Sequence, residues 1–175
     1  MAWAPAGRAL PAAFRRPLAV LQACHGLIRS HCDTLDRLPD HLIRRGPDER
    51  ASTAAQRALR YFQIAAPLHF ADEEEDLFPQ LLSLLHGPEE GLARTMEELI
   101  AQHGQELRAW AVVEPFLKAV AAGEGPSLPD FRPYAAELRQ HIHMEETMIY
   151  PLASRLNPEA LSFIGAAMAA RRRAR

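Results

Sequence analysis

Nowhere does this chain approach the roughly 20 uninterrupted apolar residues that a bilayer-spanning helix needs. A large charge of one sign is also missing. Lys+Arg 20 against Asp+Glu 22 leaves a formal net charge of −2, which gives no reason to expect nucleic acid as a partner. Only two cysteines are present, Cys24 and Cys32, spaced along one expected helix. Eight residues of helix place them about 12 Å apart, beyond the roughly 7 Å Cα separation that a disulfide bridges. They read as reduced thiols in a reducing compartment. The stretch from Met1 to Pro17 has arginines and prolines but no unbroken apolar core of a signal peptide. A cytoplasmic protein is the expectation. Strand signals are nearly absent, because no β-branched run alternates over a useful length.

What is present is helix, punctuated by Pro and Gly. The length of 175 residues suits one domain with a sizeable core. The first block follows Pro17 and runs to about Leu38, where Pro39 is expected to stop it. Residues 39–47 read as a linker. Asp48 is a plausible N-cap for a second block that runs to about His86. A third block runs from near Pro88 to Gly123. A fourth, capped by Asp130 or a neighbour, runs to about Leu156. Asn157-Pro158-Glu159 supplies a cap, a first-turn proline and a first-turn acid for a short fifth helix. The fold class is all-α: an up-down-up-down four-helix bundle with a short C-terminal fifth helix. Residues 1–16 form an N-terminal extension, 17–156 the bundle, and 157–175 the C-terminal helix and basic tail. Arg171 to Arg175 reads as a solvated tail, and Trp110, Phe116 and Phe131 as core.

One phrase is written twice. His69-x-x-x-Glu73-Glu74 leads to Phe78-Pro79, and His141-x-x-x-Glu145-Glu146 leads to Tyr150-Pro151. Residues four apart share one helix face, so each phrase aims an imidazole and a carboxylate at one point. Phe62, Ala65 and Leu81 flank the first pair at helical spacing, and Leu138, Met148 and Ile149 the second. A buried carboxylate is costly without a counter-charge, and a metal ion removes that cost. Each half of the chain also carries a lone His-Gly on its preceding helix, His25-Gly26 and His103-Gly104. The whole reads as a duplicated helical hairpin. The levels agree well at the junction of the second and third helices and less well between the third and fourth.

The candidate ligands are His25, His69, Glu73, His103, His141 and Glu145. Thiolates are missing, which argues against a structural zinc site. Oxygens are too few for calcium. Imidazole with carboxylate suits iron, with manganese or zinc as the alternatives. Glu-x-x-His, the signature of ferritin-like carboxylate bundles, does not occur. Glu74 and Glu146 sit about 100° round their helices and are expected to be solvated or to stand behind the site. Glu106 is a possible additional ligand, and Cys32 a neighbour of the site or a small buried hydrophobe. The acidic run Asp72 to Asp76 reads as a solvated face outside Glu73. His31, His41, His86 and His143 read as surface histidines, with His41 and His86 in loops.

The paired His-x-x-x-Glu-Glu with aromatic-Pro, together with two lone helix histidines, resembles the hemerythrin-like (HHE cation-binding) domain family over about residues 17–156. The resemblance implies a non-haem di-iron centre with an oxo or hydroxo bridge. It implies that His25 and His69 hold one iron, His103 and His141 the other, and that Glu73 and Glu145 bridge. Oxygen-carrying hemerythrins have a further histidine four residues after the one on the third helix; here that position is Leu107. A set of four His and two Glu is instead similar to the di-iron repair-of-iron-centres proteins. The implied function is reaction with, or sensing of, O2, NO or peroxide, in iron-centre repair or stress response. An oxygen-binding or iron-storing carrier without turnover, or a helical interaction module around a structural metal, are the other classes. No catalytic residue is assigned. The expected partners are small molecules, with neither nucleic acid nor membrane.

Overall fold

A computed structural model describes residues 10–126 and 129–174. Part of the expected N-terminal extension (residues 1–9), residues 127 and 128 of the loop before the fourth helix, and the terminal Arg175 lie outside the described residues.

Helix α1 spans Pro17–Arg45. The second helical run, α2, covers residues 49–82 as α-helical pieces joined by wider turns at Tyr61–Ala65 and Asp72–Leu77. Helix α3 spans Glu90–Ala121. Helix α4 spans Arg132–Met144, continues through a wide turn at Glu145–Ile149, and tightens into a 3-10 turn at Tyr150–Arg155. Helix α5 spans Pro158–Arg173. Among the described residues there is no strand. Each of α1 to α4 packs on its two neighbours around a closed ring, with the α2–α3 and α1–α4 seams the most extensive. The all-α bundle with a fifth C-terminal helix is therefore as expected.

Pro39 does not stop α1. The helix runs through it to Gly46, whose φ of 73° takes the left-handed region that favours glycine, while its N–H still reaches the Leu42 carbonyl at 2.9 Å. An internal proline costs about 3 kcal/mol. Leu35 and Leu38 are buried on the near side of it, and Leu42 packs on the same cluster beyond it. Burial at about 1.5–3 kcal/mol per large side chain offsets the lost hydrogen bond. The link to α2 is consequently short. His41 lies inside α1 rather than in a loop, and its Nε2 is 2.8 Å from Asp48 Oδ1. Asp48 caps α2 as expected, accepting from the Ala51 N–H at 2.9 Å. Asp130 accepts from the Arg132 N–H at 3.0 Å, and Asn157 from the Ala160 N–H at 2.8 Å.

The wide turns follow a rule. In each, the residue just before a proline bonds five residues back: Ala66 to Tyr61, Phe78 to Glu73, and Tyr150 to Glu145. Pro67, Pro79 and Pro151 follow them. A proline ring crowds the carbonyl four residues earlier, and widening the turn gives it room. Both phrase glutamates therefore lie in wide turns.

Two apolar clusters make up the core. One gathers Ile28, Cys32, Leu35, Phe62, Trp110 and Leu138; the other gathers Leu21, Leu77, Phe78, Leu99, Ile149 and Ile164. Phe131 is buried and Phe116 packs against the first cluster, as expected for core residues. Met148, expected beside the site, is instead 41% exposed. It lies three residues past Glu145, in the wide turn, whereas its neighbour Ile149 is fully buried.

The charged ends of the sequence reading change places. Asp72 and Asp76 are buried, not part of a solvated face. Arg171 Nη1 donates to Asp72 at 2.5 Å and to Asp76 at 2.7 Å, and Arg172 grips both Asp72 oxygens at 3.1 and 2.6 Å. The expected solvated tail is in part the counter-charge for the acidic run. No local pattern could pair the two, because they are about 100 residues apart in the chain. Helix α5 also receives the 3-10 turn Ala12–Arg15, against which Gly165 lies so close that a Cβ there would sit 2.0 Å from the Phe14 carbonyl oxygen.

Candidate metal centre

A polar layer separates the two apolar clusters. His25 falls between Leu21 and Ile28, His103 between Leu99 and Trp110, and the two His–Glu pairs lie at the same level on α2 and α4. All six residues are at most 3% exposed. The structure thus brings together all four histidines and both glutamates singled out in the sequence. His103 and His141 meet at one level, with ring centroids 4.6 Å apart, although the residue counts of α3 and α4 disagree.

The Nε2 atoms and carboxylate oxygens converge. His25 Nε2 lies 3.2 Å from Glu145 Oε2 and 3.6 Å from Glu73 Oε1. His69 Nε2 and His103 Nε2 are each 3.5 Å from Glu73 Oε2. His141 Nε2 is 3.0 Å, and His103 Nε2 3.7 Å, from Glu145 Oε1. Each carboxylate therefore faces histidines from both halves of the chain. One ligand atom from each of His25, His69, Glu73 and Glu145 lies within 4.8 Å of the others, and so do those of His103, His141 and Glu145.

The outer ring nitrogens explain the doubled glutamates. His25 Nδ1–H donates to Glu146 at 3.0 Å, and His103 Nδ1–H donates to Glu74 at 2.7 Å. Each lone histidine of one half is held by the second glutamate of the other half. A carboxylate only accepts, so it fixes the Nδ1 proton and leaves Nε2 turned inward. Arg29 grips both Glu146 oxygens at 3.1 and 2.6 Å. His141 Nδ1–H donates to Gln102 Oε1 at 2.9 Å. Ring stacking adds to the support: Phe70 lies on His103 with centroids 4.2 Å apart, and Tyr150 on His25 at 5.1 Å.

Tyr150 does more than pack. Its hydroxyl donates to Glu73 Oε1 at 2.5 Å and lies 3.2 Å from His25 Nε2. The sequence carried a signal for this, since the second phrase has tyrosine where the first has Phe78. Gln102 had no such signal beyond its place before His103. Glu106 is 3% exposed with Oε1 3.6 Å from His141 Nδ1, while Leu107 is 43% exposed and turned away. Cys32 is fully buried in the core cluster on the Trp110 side, and both cysteines are free. His31 packs beside Tyr61 with ring centroids 4.7 Å apart, and His86 and His143 are exposed.

Electrostatics set the layer apart from ordinary core. Burial opposes the charge on His25, yet the nearby Glu145 and Glu73 carboxylates outweigh it and push the imidazole up to about 10. His103 is likewise raised to about 10, burial being overcome by Glu145 and Glu74. Burial and then the His25 charge hold His69 well below the usual range. Burial and the Glu145 charge raise Glu73, whereas Glu145 is held low against burial by His103, His141 and His25. Buried polar atoms are nearly always hydrogen-bonded. Here Glu73 Oε2, both Glu145 oxygens, His103 Nε2 and His141 Nε2 have no hydrogen-bond partner. These orphans aim at one another across the layer. Cations held by the two groups of ligand atoms would give these orphans partners, and a donor set of imidazole and carboxylate suits a transition metal such as iron, manganese or zinc rather than calcium.

Comparison with known proteins agrees with this geometry. An uncharacterized protein of Haemophilus influenzae is 28% identical over 163 residues, which cover 92% of each chain. The family described as hemerythrin HHE cation binding domain matches residues 16–153, so the match takes in all four bundle helices and every residue of the polar layer. The chain belongs to the hemerythrin HHE cation-binding domain family.

Proposed function

We propose that this protein holds two non-haem iron ions and reacts with or senses O2, NO or peroxide, in iron-centre repair or stress response. The observation that carries the reading is the convergence of four imidazole Nε2 atoms on two buried carboxylates, each facing histidines of both halves. His25 and His69 would hold one ion, His103 and His141 the other, with Glu73 and Glu145 shared between them. When bound, the iron pair would supply electron transfer to or from a small molecule. The chain supplies the rest. Glu146, Glu74 and Gln102 hold three imidazoles with their Nε2 inward. Tyr150 holds Glu73 Oε1 through its hydroxyl proton, leaving Oε2 to face His69 and His103. The apolar clusters above and below keep bulk water from the layer.

Metal analysis of protein purified without chelator and reconstituted with Fe(II) tests the reading, together with absorption spectra under O2 and NO. We expect about two irons per chain and near-ultraviolet bands that change with either gas. Less than about one iron per chain sinks the di-iron reading. A spectral change that reverses on cycling O2, with no consumption of peroxide or NO, favours a carrier without turnover.

A further inference from the structure

The two halves of the polar layer are not alike. Three residues after His25 stands Ile28, buried in the core; three residues after His103 stands Glu106, 3% exposed. Before His25 is Cys24, and before His103 is Gln102. The bundle therefore packs with an apolar side chain at this place in one half and places a carboxylate there in the other. Neither Glu106 oxygen has a hydrogen-bond partner. A buried carboxylate without one is costly, and its unspent acceptors point to a ligand.

Glu106 also lines a cavity of about 510 Å³ between α3 and α4. Gln102, Gln105, Glu137 and Gln140 complete the polar wall, and His141 stands at its inner end. Gln105, Glu137 and Gln140 are exposed, so the cavity opens to solvent. Its lining has two carboxylates and three amide side chains and no lysine or arginine. Carboxylate and amide oxygens suit a hydrated divalent cation. A cleft of one sign concentrates the opposite ion. His141 donates its Nδ1–H to Gln102, with Glu106 Oε1 3.6 Å from the same nitrogen, and turns Nε2 toward Glu145, so the cavity and the polar layer share one imidazole as their wall.

We propose that Glu106, with Glu137 at the rim, forms a capture site for a divalent cation outside the polar layer and speeds loading of the layer. The proposal rests on the metal-centre reading above. It makes Glu106 a residue of the route in, not a resident ligand of the pair.

Stopped-flow mixing of the metal-free full chain with Co²⁺, followed by visible absorption, tests it. Glu106→Gln should slow loading by about tenfold or more, the scale of electrostatic concentration in a charged cleft. The final Co²⁺ count and spectrum should match the wild type. Glu137→Gln, at an exposed position that does not endanger folding, should slow loading less and lose its effect at high salt. Equal loading rates for wild type and Glu106→Gln overturn the proposal. A changed final count or spectrum for Glu106→Gln in a folded protein overturns it too, because Glu106 would then belong to the resident ligand set. A wild-type chain that takes up neither Co²⁺ nor Fe²⁺ sinks the metal-centre reading along with this one, whereas equal rates sink this one alone.

Discussion

Glu73 and Glu74 are neighbours in sequence and about 100° apart on the helix, and that rotation separates what they do. Glu73 is fully buried among histidines; Glu74 is 34% exposed and holds His103 from outside. Glu145 and Glu146 divide in the same way around His25. Glu146→Gln should therefore leave the fold intact and weaken metal binding by about 10–100-fold, the usual loss when a histidine's outer partner is removed. Competition against a chelator of known affinity checks this. Changing both Glu73 and Glu145 to Gln should drop iron below about one per chain with helicity retained by circular dichroism; collapse of the fold would point to a purely structural metal. The histidines give a pH prediction. His25 and His103 are raised to about 10 in the metal-free protein, so both carry a second proton at neutral pH. Coordination needs the neutral ring. Metal uptake at neutral pH should release protons, and affinity should rise with pH through about 10, above which the rings are neutral. Proton release into a dilute indicator buffer measures it, and uptake without release would contradict it.

At the scale of elements, the prolines act by their surroundings. Pro79 and Pro151 each follow a wide turn that begins near a phrase glutamate, while Pro39 sits within an α-helix whose apolar stripe continues past it. The aromatic-Pro motif was legible as a landmark. The wide turn was not, since widening depends on whether the helix is held on both sides of the ring. Short-range capping was legible at two helix starts, where Asp48 and Asn157 act as read, whereas α4 has Phe131 at its N-cap and no side-chain cap there. Asn157→Ala should cost about 1 kcal/mol, seen as a lower denaturation midpoint with an unchanged slope. Gly165 was not singled out, and only the 3-10 turn packed on α5 shows why its lack of a Cβ matters. Gly165→Ala should loosen that turn and speed hydrogen exchange of the Arg16 amide, which bonds the Ala13 carbonyl at 3.2 Å.

For the whole molecule, α5 closes the bundle through charge as well as apolar contact. Asp72 is fully buried, and Arg171 and Arg172 supply its counter-charge. Changing both arginines to alanine would leave Asp72 and Asp76 in the interior without them. Breaking a buried pair costs about 3–5 kcal/mol, and urea unfolding should show a loss on that scale. A loss under about 1 kcal/mol would mean that these pairs behave as surface ones.

The sequence by itself determined the bundle, its helix caps and the six residues of the polar layer. These follow from periodicity, capping chemistry and spacing, which act over one or two turns of chain. The exchange of second glutamates between halves, the Tyr150 hydroxyl on Glu73, the inward turn of Glu106 instead of Leu107, and the burial of the acidic run under Arg171 and Arg172 were decided only by tertiary structure. Each depends on which faces of distant helices meet, and helical spacing fixes a residue's angle on its own helix without naming the helix opposite.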